Sequence, residues 1–109
     1  MTLEFLGEFE QMVLLAILRL GEGAYGLVVR DELEAVAGRT PSSGALYTTL
    51  DRLERKGLIE SRAGEVSVER GGRPRRYLKV TAAGMSALRH SRAALLRLWD
   101  SLEASLDRR

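Results

Sequence analysis

Residues 42–59 read SSGALYTTLDRLERKGLI, and this stretch decides the fold. Leu46, Leu50 and Leu53 recur at the spacing that lines one side of a helix. Arg39-Thr40-Pro41-Ser42 precedes them with turn chemistry, a serine or threonine N-cap and a proline near the first turn, and Gly57 follows as a C-terminal stop. Beyond that glycine the period changes, and Leu58-Ile59 opens a strand that the pattern carries to Val66 or Val68. Because leucines occupy the inner face of this helix, Ser43, Gly44, Tyr47 and Thr48 are left on the outer surface of its N-terminal half.

Toward the N-terminus, Phe9, Met12, Val13, Ala16, Ile17 and Leu20 predict a first helix that stops at Gly21 and Gly23. A second runs from about Leu27 to Val36, with Val28, Leu33 and Val36 or their neighbours inward, and ends near Gly38. Toward the C-terminus, Gly71-Gly72 turns the chain and Tyr77-Leu78-Lys79-Val80 alternates back as a second strand. Thr81 then caps a long last helix. Its seam is Met85, Leu88, Leu95, Trp99, Leu102 and Leu106, interrupted by Arg92. The predicted fold is mainly α with a small β-hairpin (α+β). Three helices followed by two strands is the order of a winged helix-turn-helix, assigned to residues 1–81, with a C-terminal dimerisation helix over residues 82–109. A lone helix would expose that seam as a large apolar stripe, so a homodimer is expected.

The chain has 109 residues, enough for one modest core, and its 45% hydrophobic and 29% charged content argues against disorder. The absence of cysteine removes disulfides, thiolate zinc sites and cysteine nucleophiles. The acidic N-terminus is unlike a signal peptide, and the apolar run from Met12 to Leu18 is too short to span a bilayer, which leads to the expectation of a soluble, cytoplasmic protein with no membrane partner.

A net charge of +2 gives no uniformly basic coat, but residues 69–79 read ERGGRPRRYLK, a dense positive patch at the hairpin tip. Arg73, Arg75 and Arg76 are expected to meet phosphates of double-stranded DNA. Gly21-Glu22-Gly23-Ala24-Tyr25-Gly26 has the spacing of a dinucleotide fingerprint, but a helix rather than a strand precedes it, so the glycines are read as a turn. His90 stands alone and forms no zinc cluster. No nucleophile–base pair, paired carboxylates or metal cluster emerges, so neither enzymatic activity nor a cofactor is expected. The alternative is a winged-helix module that docks a protein partner; the arginine patch and the Tyr47 block favour DNA.

Three blocks in order resemble the PadR family of transcriptional regulators: Gly23-Ala24-Tyr25-Gly26; Gly44 to Leu50 with Leu53-Glu54-Arg55-Lys56-Gly57-Leu58-Ile59; and Arg76-Tyr77-Leu78-Lys79-Val80-Thr81-Ala82-Ala83-Gly84. They span roughly Met12 to Gly84, and the length is similar to the family's short form, with one helix after the wing. The resemblance implies a homodimeric repressor that binds near-palindromic operators and releases them on binding a small aromatic or drug-like effector. It assigns groove contacts to Ser42, Ser43, Gly44, Tyr47 and Thr48, phosphate contacts to Arg52, Arg55 and Lys56, and wing contacts to Arg73, Arg75 and Arg76. In multidrug-sensing members a ligand-stacking Trp stands about one helical turn before the position of Trp99, where this chain has Leu95. An effector pocket is expected near Met12, Leu95 and Trp99, at the meeting of the last helix with the partner's first helix.

Overall fold

Local sequence chemistry sets each element boundary in the computed structural model, which describes residues 5–66, 74–102 and 106. Helix α1 spans Glu8–Leu20, a 3-10 turn follows at Gly21–Gly23, and α2 spans Gly26–Ala37. Helix α3 spans Ser43–Arg55, strands β1 and β2 span Ile59–Val66 and Pro74–Val80, and α4 spans Ala82–Trp99. The expected mainly helical α+β architecture is present, with the two strands paired antiparallel from Ile59 opposite Val80 to Arg62 opposite Tyr77. A bridge from Tyr25 to Tyr77 and the Leu78 N–H to Ala24 carbonyl bond (2.9 Å) dock the segment before α2 onto the hairpin. The expected Gly71-Gly72 turn lies outside the described residues.

The Ser42 hydroxyl accepts the Ala45 N–H at 3.1 Å, capping α3. At the other end Gly57 takes φ +77°, its N–H reaches the Glu54 carbonyl and the Leu58 N–H reaches that of Leu53, both at 2.9 Å. This pair of bonds turns the last carbonyls of α3 inward and launches β1 without a connecting loop.

The core gathers Val13, Leu14 and Ile17 from α1, Val29 and Leu33 from α2, Leu46, Leu50 and Leu53 from α3, Ile59 and Leu78 from the strands, and Leu88 from α4. In α2 the inward set is Leu33 and, as the neighbour of Val28, Val29. Val29 is buried while Val28 is half-buried and Val36 is 58% exposed, because the helix begins at Gly26 and turns the 29/33 edge toward α1.

Helix α4 needs correction. It ends at Trp99, where Asp100 is extended and Ser101 has φ +69°, so Leu102 and Leu106 do not continue one helical seam. Its first half belongs to the protomer's own core: Gly84, Ala87, Leu88 and Ser91 are buried, and Met85 packs against that core. A boundary between residues 81 and 82 therefore cuts through one packing unit. After Ser91 nothing in α4 is buried, and the radius of gyration, 16.1 Å, exceeds the roughly 13 Å typical of a compact chain this long. No helix among the described residues is long and apolar enough to cross a membrane.

The glycines of the sequence blocks do not all sit where a side chain would collide. A Cβ on Gly84 would lie 2.2 Å from the Leu58 carbonyl oxygen, whereas one on Gly44 would meet open space. Gly84→Ala should therefore cost about 1–3 kcal/mol through overpacking, while Gly44→Ala should be neutral or stabilise by up to about 1 kcal/mol through helix propensity. Urea unfolding of the two variants checks this contrast.

Candidate nucleic-acid interface

The outer face of α3 presents Ser43, Gly44, Tyr47 and Thr48, all exposed as expected. Tyr47 is 47% exposed, and its hydroxyl end lies against the backbone of Gly26, where a Cβ would come within 2.4 Å of the hydroxyl oxygen. Gly26 thus lets the Tyr47 ring lie flat across the start of α2 with its remaining surface open. Ser42 is exposed, but its oxygen serves as the cap of α3, which leaves its hydroxyl hydrogen and one lone pair for a ligand.

Beside Tyr47, a cleft of about 260 Å³ separates α3 from β2 and is lined by Tyr25, Gly26, Leu27, Tyr47, Arg75 and Arg76 among others. The Arg75 guanidinium stacks on the Tyr25 ring, 4.3 Å from its centroid, which holds the cation at the mouth of this cleft. A second cleft of about 580 Å³ lies between α1 and the hairpin, with Leu18, Glu22, Arg62 and Tyr77 in its wall.

The cations expected at phosphates divide sharply. Arg55 is exposed and has no hydrogen bond or ion pair among the described residues. Arg73 lies outside the described residues. Arg76 bridges two acids of α3, Asp51 at 3.1 Å and Glu54 at 2.9 Å. Glu54 also accepts a hydrogen bond from Ser61, and that hydroxyl, with the Arg76 charge behind it, holds its carboxyl below the usual glutamate range. The Arg76 charge is thus directed at Asp51 and Glu54 and ties the hairpin to α3, and the phosphate contact expected of it would require these pairs to open.

Arg52 and Lys56 are likewise paired within the chain. Both donate to one oxygen of Glu10 on α1, each at 3.1 Å. The other Glu10 oxygen accepts the Gly7 N–H at 3.0 Å at the start of α1. Burial pushes the Glu10 carboxyl up, but the Gly7 amide, the Arg52 and Lys56 hydrogen bonds and the Lys56 charge outweigh it and hold the group below its ordinary range. Sequence reasoning missed Glu10, although its position three residues after Gly7, at a helix start, is a capping spacing. Also missed were Tyr25, whose signal is an aromatic just before a helix, and Asp51 and Glu54, acids three apart on α3.

The effector residues are not brought together in one protomer's described cavities: neither cleft is lined by Met12, Leu95 or Trp99. Met12 is half-buried beneath Arg39, whose guanidinium also pairs with Glu8 at 2.8 Å. Leu95 and Trp99 lie on the projecting half of α4, 47% and 43% exposed, with Leu98 beside them at 71%. No group of metal-binding side chains occurs among the described residues.

A capped helix with an open polar and aromatic face, joined to a hairpin carrying an arginine at its flank, is the arrangement of a winged helix-turn-helix. The profile of the PadR-like family of transcriptional regulators matches residues 14–90, most of the chain, and the chain belongs to that family. A PadR family transcriptional regulator from Eggerthella lenta DSM 2243 is 31% identical, with a TM-score of 0.68 over 91% of this chain and 86% of that one. A PadR-like transcription factor from Bacteroides fragilis is 28% identical, with a TM-score of 0.71 over 88% and 87%. A PadR-like regulator from Bacillus cereus, 23% identical with a TM-score of 0.66 over 92% and 88%, shares the fold. None of the curated proteins matches the chain. The chain is a DNA-binding transcriptional regulator and not an enzyme.

Folding lowers the pKa of Glu10, so the unfolded chain takes up the proton first as pH falls. The stabilisation from its pairs is complete above the ordinary glutamate range and is lost as pH drops through the lower folded value. Glu10→Gln should be less stable near neutrality by about 1 kcal/mol, after screening of the partly exposed Arg52, and should lose less stability on acidification. Denaturant unfolding at a series of pH values measures both effects.

Proposed function

We propose that the protein is a homodimeric repressor that binds a near-palindromic operator, with Ser43, Gly44, Tyr47 and Thr48 reading bases and Arg55, Arg73 and Arg75 meeting phosphates. The observation that carries this reading is the exposed α3 face flanked by Arg75 on its Tyr25 platform. Ser42 contributes through its hydroxyl hydrogen or its remaining lone pair. Hydroxyls bond several base edges, and the Tyr47 ring and Thr48 methyl suit a thymine methyl, so each contact discriminates by about 1–3 kcal/mol at most. Selectivity then needs two half-sites, centred roughly one helical turn, about 10 base pairs, or a multiple of it apart.

Dimerisation is supported by the projecting half of α4. Leu95, Leu96, Leu98 and Trp99 are exposed there with Leu102 and Leu106 beyond, an apolar surface that a second protomer would cover. Residues 1–81 would carry DNA binding, with the dimerising part of residues 82–109 beginning after Ser91. Met85 and Leu88 would act from within, by fixing the angle at which α4 leaves the body. The effector part of the reading rests on Trp99 beside Leu95 and on a pocket built between protomers that includes the partner's α1 near Met12. Operator binding makes the cytoplasm the place of action.

Tyr47→Ala should weaken binding to an operator selected from genomic fragments by about 1–3 kcal/mol and leave random DNA nearly unchanged. Inserting about 5 base pairs between half-sites, half a turn, should abolish tight binding. Equal losses on both DNAs, measured by fluorescence anisotropy, would remove Tyr47 from the reading role. Leu95→Ala combined with Trp99→Ala should lower the dimer fraction in sedimentation; an unchanged dimer would move the interface elsewhere. Planar aromatic compounds should perturb Trp99 fluorescence and release the operator together.

A further inference from the structure

The Glu10 cluster is built differently from the other ion pairs of the chain. Arg52 and Lys56 are four residues apart, hence on one side of α3 near its C-terminal end, and they converge on a single carboxylate oxygen of a residue only 7% exposed. That carboxylate cannot swing away easily, since the Gly7 N–H at the first turn of α1 fixes its other oxygen. Thr49 lies 3.4 Å from the Arg52 guanidinium and orients it further. By contrast the Arg76 pairs involve acids with 68% and 40% side-chain exposure, where water competes.

Cations at the end of a groove-bound helix add affinity for any phosphate backbone, whatever the sequence. Each one engaged steepens the salt dependence by about 0.9 and raises the affinity for operator and bulk DNA alike. A regulator whose base contacts are individually weak would then spend more of its time on bulk DNA and respond more steeply to salt.

Resting on the DNA-binding reading above, we propose that Glu10 is a residue that limits the affinity of the interface for DNA phosphates. Its carboxylate holds Arg52 and Lys56 against α1 and withholds them from DNA phosphates, which keeps sequence-independent affinity low. The residue acts from α1, outside the DNA-facing surface, and its effect appears in the salt slope and in the affinity for random-sequence DNA.

The test measures binding of the full chain to a short random-sequence duplex, from roughly 50 to 200 mM salt, the range over which phosphate contacts dominate affinity. Glu10→Gln should bind random DNA more tightly at low salt and steepen the slope by about 1–2, one step per released cation. Glu34→Gln removes the same charge from an exposed acid of α2 with no ion pair among the described residues, and should leave the slope unchanged. Arg52→Gln and Lys56→Gln, made singly in the otherwise unaltered chain, should also leave the slope nearly unchanged. This arm keeps the proposal testable should Glu10→Gln fail to fold by circular dichroism.

A fall of about 0.9 in slope for either single cation variant would show that these residues already engage phosphates, and would overturn the proposal. So would a folded Glu10→Gln variant with the parent's slope, or a rise matched by Glu34→Gln. If the unsubstituted chain shows no salt-dependent DNA binding at all, the DNA reading and the proposal fall together; a normal parental slope that Glu10→Gln leaves unmoved overturns the proposal alone.

Discussion

The structure turns on the close approach of two backbones, Gly57-Leu58 at the end of α3 and Thr81 to Gly84 at the start of α4. Four bonds meet there. The Leu58 N–H closes α3 on Leu53, the Leu58 carbonyl accepts the Thr81 N–H at 3.0 Å, the Thr81 hydroxyl donates to the Gly57 carbonyl at 2.7 Å, and the same oxygen caps α4 through Gly84. Since Leu58 immediately precedes β1 and Thr81 immediately follows β2, this knot fixes three directions at once: the axis of α3, the root of the hairpin and the exit of α4. The absent Cβ of Gly84 is what allows the approach, because the Leu58 oxygen occupies the place it would take. The outer face of α3 and the exit of α4 are thereby held in one rigid relation, which the proposed two-site operator would require.

Charge refines what packing sets. A helix that enters a groove cannot carry unscreened acids, yet α3 has Asp51 and Glu54 on or beside its outer surface. Arg76 crosses from β2 to both of them, so a wing arginine is used to neutralise the reading helix and to anchor the hairpin against it. Arg75, one residue earlier and therefore on the opposite face of the strand, is directed onto Tyr25. Adjacent arginines that look alike in sequence thus serve different partners because strand alternation sends them to different sides.

That alternation explains how much could be read without coordinates. Helix order, the α3 cap at Ser42, the stop at Gly57, the cap at Thr81 and the leucine face of α3 are local properties, carried by residues within a turn of each other, and they were legible. The exposed Ser43, Gly44, Tyr47 and Thr48 surface followed from the same periodicity. Partners of Arg52, Lys56 and Arg76 were not legible, since they lie 42, 46 and 22 to 25 residues away and depend on how α1 and β2 pack on α3. A basic run in the sequence counts charges and says nothing of which acids will fold onto them.

The last helix shows a subtler confusion of the same kind. Leu88, Leu95 and Trp99 share one spacing, and spacing alone assigns them to one seam. Burial divides them: Leu88 is 7% exposed, whereas Leu95 and Trp99 are 47% and 43% exposed. The division falls where the N-terminal segment crosses α4, with the Leu6 N–H on the buried Ser91 hydroxyl at 3.1 Å and Phe5 against His90 at 4.5 Å between rings. Up to that crossing the apolar stripe faces the protomer's own helices. Beyond it the body ends and the stripe runs on into solvent, so one amphipathic pattern serves intramolecular packing first and an outward apolar surface second. The segment around Leu6 therefore does more than cover α4: it sets where the domain stops and where the surface available to a second protomer begins, and it leads within a few residues to Glu10, which grips α3. Helix packing at one end of the protomer and charge at the reading helix are in this way anchored to the same short stretch of chain, Phe5 to Glu10.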